Sequence, residues 1–163
     1  MIDMGECLLA ALLGFISGSF AGVVIYRWPR SESLVYPRSQ CDYCRTPLCW
    51  LDLLPVVSYV LLRGRCRYCS RPISPLYPGT ELLMAVLYAV LVFYCQLSPG
   101  FYWGMIWTWG LVVAGIIDWQ TGYIPDFISW GGIIISLGKA AWEAYLPEAV
   151  AAMLCLGGLL ALL

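Results

Sequence analysis

Residues 7–26 read CLLAALLGFISGSFAGVVIY, an uncharged stretch of 20 residues. At about 1.5 Å rise per residue, a helix of this length crosses the ~30 Å hydrocarbon core of a bilayer. A signal peptide has its basic residues before its apolar stretch. Here acidic residues precede the stretch and basic residues, beginning with Arg27, follow it. The stretch therefore predicts a first transmembrane span.

Three glycines of this span lie four residues apart, at Gly14, Gly18 and Gly22. Residues at that spacing share one face of a helix. Small residues on one face allow two membrane helices to approach closely. We therefore expect this face to pack against another span rather than to bind a ligand.

The composition of the whole chain indicates a membrane protein. Its 163 residues are 61% hydrophobic and 12% charged, and the mean hydropathy is +0.79. A soluble domain of this length cannot bury so much apolar surface. Further apolar stretches occupy about 82–97, 101–117, 127–137 and the residues from 149 onward. The predicted class is an all-α polytopic membrane protein with about five spans.

Residues 27–80 form a polar insert between the first two spans. The insert holds eight of the nine Lys and Arg residues, and such an excess of positive charge favours the cytoplasmic side. We therefore expect three parts: a first span (1–26), a small cytoplasmic four-cysteine zinc module (27–80) and a transmembrane core (81–163). We identify no internal repeat.

Two C-x-x-C motifs lie in the insert, CDYC at 41–44 and CRYC at 66–69. Paired motifs at this separation are typical of a structural zinc site in which the protein supplies all four ligands. Disulfides or redox-active pairs are the alternatives, and Cys49 is an alternative ligand. A cytoplasmic location argues against stable disulfides. The predicted ligands are Cys41, Cys44, Cys66 and Cys69.

Two carboxylates follow the third span, Asp118 and Asp126. The chain has no His, which excludes His general bases and Ser-His-Asp triads. A carboxylate at a span end is a functional candidate, although Asp118 could also reach to the interface or cap a helix, and Asp126 could open the next helix. Two aspartates sharing a water can hydrolyse a peptide bond. These two form such a pair only if the intervening loop folds them together; otherwise the partner comes from another span.

Several segments together resemble the type IV prepilin peptidases, which are bifunctional leader peptidases and N-methyltransferases of the bacterial inner membrane. The segments follow the family's order along the whole chain. They are SGSFAGVVIYRWP (17–29), SQC (39–41), DLLPVVSYVLLRGRCRYC (52–69), RPISPLYPGTEL (71–82) and DWQTGYIPD (118–126).

The resemblance implies an aspartic endopeptidase in which Asp118 is the first catalytic aspartate and Asp126 supports the loop. Its substrates would be type IV prepilins or pseudopilins, cleaved after a short basic leader at the cytoplasmic face. The new N-terminus would be methylated from S-adenosylmethionine. We expect the lipid bilayer as a second partner and no nucleic acid.

Acidic residues are the best candidates for contact with a basic leader, because the arginines of the insert would repel it. Glu81 is the foremost candidate for this substrate-binding role. The other candidates are Glu32, Asp42 and Asp52.

Two departures from the family pattern bear on activity. Gly22 stands where the family has Asn, a residue for which packing and methyl transfer are the alternative roles, so the departure bears on methylation. The family's second catalytic aspartate lies in a GxGD motif, which the chain does not contain. We expect that motif to follow Leu163, so that the chain is C-terminally truncated and proteolytically incompetent as given. The alternative is a complete, non-proteolytic membrane-anchored zinc module that binds assembly proteins or only transfers methyl groups.

Overall fold

The computed structural model describes residues 3–143, which fall into two compact units divided after Gly122. Their secondary structure is helical, and isolated bridges are the only β-type pairing among them. The described part of the chain therefore confirms the all-α class. The helices are α1 (Met4–Arg27), 3-10 helices at Trp28–Arg30 and Trp50–Leu53, α2 (Val57–Leu61), α3 (Leu76–Cys95), α4 (Pro99–Thr121) and α5 (Asp126–Trp142).

Local sequence signals set the ends of the long helices. Asp3 and Glu6 form a capping box at the start of α1, in which each side chain bonds the backbone of the first turn. Pro99 occupies the first turn of α4, where its missing N–H costs nothing. Gly122 ends α4 in the left-handed conformation, at φ 67°.

Three of these helices are long and apolar enough to cross a membrane, by length and composition. They are α1, α3 and α4, and they confirm the first three predicted spans. The predicted span that begins near residue 149 lies outside the described residues.

The helix α5 lies in the second unit and is longer than the sequence predicts. We expect it to end near residue 137, whereas it continues to Trp142. One reason is that Lys139 and Glu143 stand one turn apart and form an ion pair at 2.9 Å, which supports the last turn. Its 17 residues are at the lower limit for a transmembrane helix.

The backbones of α1 and α3 are in contact along the glycine face. A Cβ atom placed on Gly14 would lie 2.5 Å from the Cα of Ala85, and one on Gly18 would lie 2.6 Å from the Cα of Glu81. These separations leave no room for a side chain. The Thr80 hydroxyl also donates to the Gly18 carbonyl at 3.3 Å. The structure confirms that the glycine face packs against another span.

The direction of each helix in the first unit follows from these contacts. Gly14 lies beside Ala85 and Gly18 beside Glu81, so α1 and α3 are antiparallel. A short turn joins α3 to α4, and the Tyr88 hydroxyl at mid-α3 donates to the Met105 carbonyl of α4 at 3.1 Å. Helices α1 and α4 are therefore parallel and end at the same membrane face.

We predict that Gly18→Ala separates α1 from α3, because the added methyl group overlaps the backbone of Glu81. Overpacking of this kind costs about 1–3 kcal/mol. The free energy of unfolding, measured in detergent–lipid bicelles, should fall by that amount. Gly115→Ala on α4 is the matched control, since the space around its Cβ position is open. Equal losses in the two variants would contradict the close packing.

Candidate functional site

The two C-x-x-C motifs form knuckles with the same backbone hydrogen bonds. In the first, the N–H of Arg45 donates to the Cys41 carbonyl at 2.9 Å, and the Cys41 N–H donates to the Thr46 carbonyl at 3.1 Å. In the second, the N–H of Ser70 donates to the Cys66 carbonyl at 2.9 Å, and the Cys66 N–H donates to the Arg71 carbonyl at 2.8 Å. Each turn places one residue at φ 57°.

This shared geometry corrects the expectation that the chain has no internal repeat. Residues 39–48, SQCDYCRTPL, and residues 64–73, GRCRYCSRPI, match at two Cys, one Tyr and one Pro. Each copy closes with one antiparallel bridge, Gln40 to Pro47 and Arg65 to Pro72. A match of four residues in ten is weak by itself, and the backbone bonds are what make the repeat evident.

The repeat brings the four predicted cysteine ligands together. Their sulfurs all lie within 4.8 Å of one another, and the Sγ atoms of Cys41 and Cys69 are 3.8 Å apart. Tetrahedral zinc with Zn–S bonds of ~2.3 Å requires sulfurs ~3.8 Å apart. The cluster could therefore hold a zinc ion. Because the protein fills all four positions, the chemistry of such a site is structural rather than catalytic.

Two thiols of the cluster, Cys44 and Cys69, differ in their pKa. Hydrogen bonds from the side chain and backbone of Thr46 lower the pKa of Cys44 to about 6. A backbone bond from Arg71 favours the Cys69 thiolate, but burial and the neighbouring sulfurs outweigh it and raise the pKa to about 11. Four adjacent thiolates need a cation to offset their mutual repulsion. The donor set thus fits a divalent metal.

The alternative ligand Cys49 lies outside the cluster and bonds to Asp52. The Cys49 thiol donates to Oδ2 of Asp52 at 3.1 Å, and Nε of Arg67 donates to Oδ1 at 2.8 Å. Burial raises the pKa of Asp52, but the bonds from Cys49 and Arg67 outweigh it and hold the pKa below its ordinary value. The Asp52 side chain, 2% exposed, ties the second knuckle to the 50–53 turn.

A cavity of about 360 Å³ lies between the end of α1, the module and the start of α3. Its lining includes all four carboxylates that the sequence offers as contacts for a basic leader. Four tyrosines contribute aromatic surface to the same lining. The carboxylates are Glu32, Asp42, Asp52 and Glu81, and the tyrosines are Tyr26, Tyr43, Tyr59 and Tyr77.

Two of these carboxylates have largely buried side chains that bond to other parts of the chain, and the other two are exposed. Glu81 is 8% exposed, and its Oε2 accepts the N–H of Val56 at 2.7 Å. Val56 is at φ 58°, which is unfavourable for a β-branched residue, so this bond fixes the turn against α3. Asp52 is held by Cys49 and Arg67. Glu32 and Asp42 are exposed and supply the accessible negative charge.

Asp118 lies exposed in the last turn of α4. The Trp109 indole donates to the Ser17 carbonyl at 3.1 Å, which sets the register of α4 on α1. Nine residues further along these parallel helices, Asp118 reaches the level of the cavity residue Tyr26. The negative end of the helix dipole does not favour a carboxylate there. The presence of an aspartate at this position is therefore not explained by the stability of α4.

Asp126 begins α5, in the first turn, where the helix dipole favours a carboxylate. It belongs to the second unit and Asp118 to the first. Their pairing stays a prediction.

Comparison with known proteins identifies the family of the chain. The model of the Bacterial Peptidase A24 N-terminal domain matches residues 12–95. The chain is 36% identical to the prepilin leader peptidase/N-methyltransferase of Klebsiella pneumoniae, covering 93% of the chain and 69% of that relative. It is 36% identical to the Neisseria gonorrhoeae protein of the same name, covering 79% and 55%. It is 35% identical to the type 4 prepilin-like proteins leader peptide-processing enzyme of Escherichia coli, and the match covers 85% of the chain and 58% of that relative.

These findings define a membrane-embedded member of the A24 peptidases. The chain belongs to the type IV prepilin peptidase family. It spans about half the length of most of the curated relatives it matches and about two thirds of the Klebsiella protein. No solved structure gives a significant match.

We predict that the purified protein contains one zinc ion per chain and that Cys66→Ser removes it, because three thiolates no longer close the tetrahedron. Elemental analysis by inductively coupled plasma mass spectrometry measures the zinc-to-protein ratio. Cys49→Ser is the control and should retain the metal, since Cys49 bonds to Asp52 instead. A metal-free protein whose cysteines resist alkylation until reduced would establish the disulfide alternative.

Proposed function

We propose that this protein processes type IV prepilins or pseudopilins at the cytoplasmic face of a bacterial inner membrane. It would remove the short basic leader and methylate the new N-terminus. The observation that carries the proposal is the placement of Asp118 at the same membrane face, and at the same level, as a cavity lined by carboxylates. The names of the relatives, leader peptidase and N-methyltransferase, support it.

Cleavage would use Asp118 as one of two carboxylates. In such a dyad one carboxylate removes a proton from the attacking water and the other donates a proton to the peptide group. The family's second aspartate lies in a GxGD motif, which residues 1–163 do not contain. We assign Asp126 a supporting role in the loop after α4.

Leader recognition would rest on the carboxylates of the cavity. Glu32 and Asp42 are exposed and can meet the Lys and Arg side chains of a leader directly. Glu81 lies deeper and adds negative charge to the wall while it holds Val56. Arg27 and Arg45 also line the cavity, but four carboxylates there outnumber the two arginines, so the cavity is the favoured entry for a basic leader on the module.

Methylation would take place on the same face. S-adenosylmethionine supplies an electrophilic methyl group, which a free amine can accept. Gly22, at the family's Asn position, lies at the α1–α3 contact, where an added Cβ would be 3.0 Å from the ring of Tyr77. Because Tyr77 lines the cavity, this position bears on the shape of the cavity wall.

A second candidate is a membrane-anchored zinc module without peptidase activity, which binds assembly proteins or only transfers methyl groups. The observation that favours it is that the knuckles, the cavity and their supporting helices all lie within the first unit. The two candidates differ in whether Asp118 matters.

We predict that Asp118→Asn, introduced at the gene's own locus, abolishes prepilin cleavage, with a loss of roughly three orders of magnitude or more. The substitution keeps the size of the side chain and removes the charge. Immunoblots of prepilin and mature pilin in the source organism measure the processed fraction. Asp3→Asn, in the α1 cap at the opposite membrane face, is the control. Normal processing with Asp118→Asn would favour the non-proteolytic candidate.

We also predict that Glu81→Gln weakens the processing of basic leaders. The amide keeps an acceptor for Val56 but removes the negative charge, so KM should rise about threefold to tenfold with kcat little changed. A peptide assay in membranes should show the effect for a basic leader and not for one whose Lys and Arg are replaced by Gln. Glu6→Gln, at the opposite end of α1, is the control. An unchanged KM for the basic leader would remove Glu81 from this role.

A further inference from the structure

The segment 50–61 of the module exposes large apolar side chains. Trp50 is 72% exposed, Val60 is 65% exposed and Leu61 is 75% exposed. A soluble module would not leave a continuous apolar segment of this kind in water. We call residues 50–61 the apolar segment.

The apolar segment lies beside the membrane-spanning part of α1. Trp50 and Leu53 line one cleft, of about 470 Å³, together with Phe20 and Val23 of α1. Phe20 precedes Arg27 by seven residues, which places it roughly 10 Å deeper along the helix axis. This part of the module therefore lies at the depth of the lipid interface.

The cleft also carries positive charge. Arg27 and Arg38 both line it, and Nη1 of Arg27 donates to the Ser33 carbonyl at 2.9 Å, which fixes that guanidinium. Guanidinium groups bind phosphate through paired N–H donors. The two arginines suit the phosphate headgroup of a phospholipid, and the apolar wall beside them suits its acyl chains.

We propose that this cleft binds an anionic phospholipid of the bilayer. The headgroup phosphate lies between Arg27 and Arg38, and an acyl chain lies along Phe20, Val23 and Leu53. Trp50 takes the position at the headgroup level that its ring favours. The site lies beyond the proposed peptidase and methyltransferase functions, and it assigns the module a membrane-binding role.

The surroundings favour a lipid over other occupants. The cleft is continuous with the exposed face of α1, where Ile16 is 66% exposed and Phe20 is 50% exposed, and in a membrane that face meets acyl chains. The cleft lining has two arginines and, among the described residues, no carboxylate to offset them, so it repels a basic leader. Free phosphate would leave the apolar wall uncovered.

The test uses the full protein in nanodiscs that contain phospholipids with brominated acyl chains, which quench nearby tryptophans. The contribution of Trp50 is the difference between the wild-type protein and Trp50→Phe. We expect quenching of Trp50 to be about fivefold stronger with brominated phosphatidylglycerol, at equal low mole fraction, than with brominated phosphatidylcholine. Arg38→Gln should abolish this preference.

Arg63→Gln is the matched control, because it removes the same charge from an exposed position outside the cleft, and it should keep the preference.

Inorganic phosphate at millimolar concentration should not displace the lipid, and displacement would identify a free-phosphate site and overturn the proposal. Absence of Trp50 quenching by either lipid would overturn it by showing that the segment lies outside the membrane. Equal quenching by both lipids would show membrane contact without headgroup recognition and would overturn the anionic-lipid site.

Discussion

Backbone contact between α1 and α3 is the constraint on which the first unit depends. Gly14 and Gly18 allow the two helices to touch without intervening side chains. In a membrane, apolar side chains gain little by leaving lipid for protein, so close packing and interhelical hydrogen bonds hold helices together. The bond from Thr80 to the Gly18 carbonyl is one such interaction. This contact brings the two ends of the insert side by side, so the module must close as a loop at one membrane face.

The module contains two cysteine knuckles and several polar contacts, and few of its side chains are buried. A short segment cannot bury enough apolar surface to fold alone, and a structural metal or a supporting surface supplies the missing stability. The two knuckles provide the donor set for a metal. Asp52 joins Arg67 to the preceding turn, and Glu81 joins Val56 to α3. These ties set the walls of the polar cavity.

The parallel direction of α1 and α4 determines which residues lie near the module. It puts Asp118 at the membrane face from which the module emerges, at the level of the cavity. The module contributes to a polar cavity and also to an apolar cleft that carries arginines. Peptide-binding and lipid-binding surfaces can therefore be built from one small insert, because it is fixed to helix ends at the depth where polar and apolar surroundings meet.

The sequence by itself determined the features that depend on near neighbours in the chain: the first three spans, the glycine face of α1 and the paired cysteine motifs. Tertiary structure alone showed that carboxylates from Glu32 to Glu81 line one cavity, that the knuckles repeat the same backbone bonds, and that Cys49 bonds to Asp52 instead of joining the cluster. The physical reason is that hydrophobic period, small-residue spacing and caps act over a few residues. Contacts between distant residues depend on the path of the chain, which here is set by two helix backbones in contact.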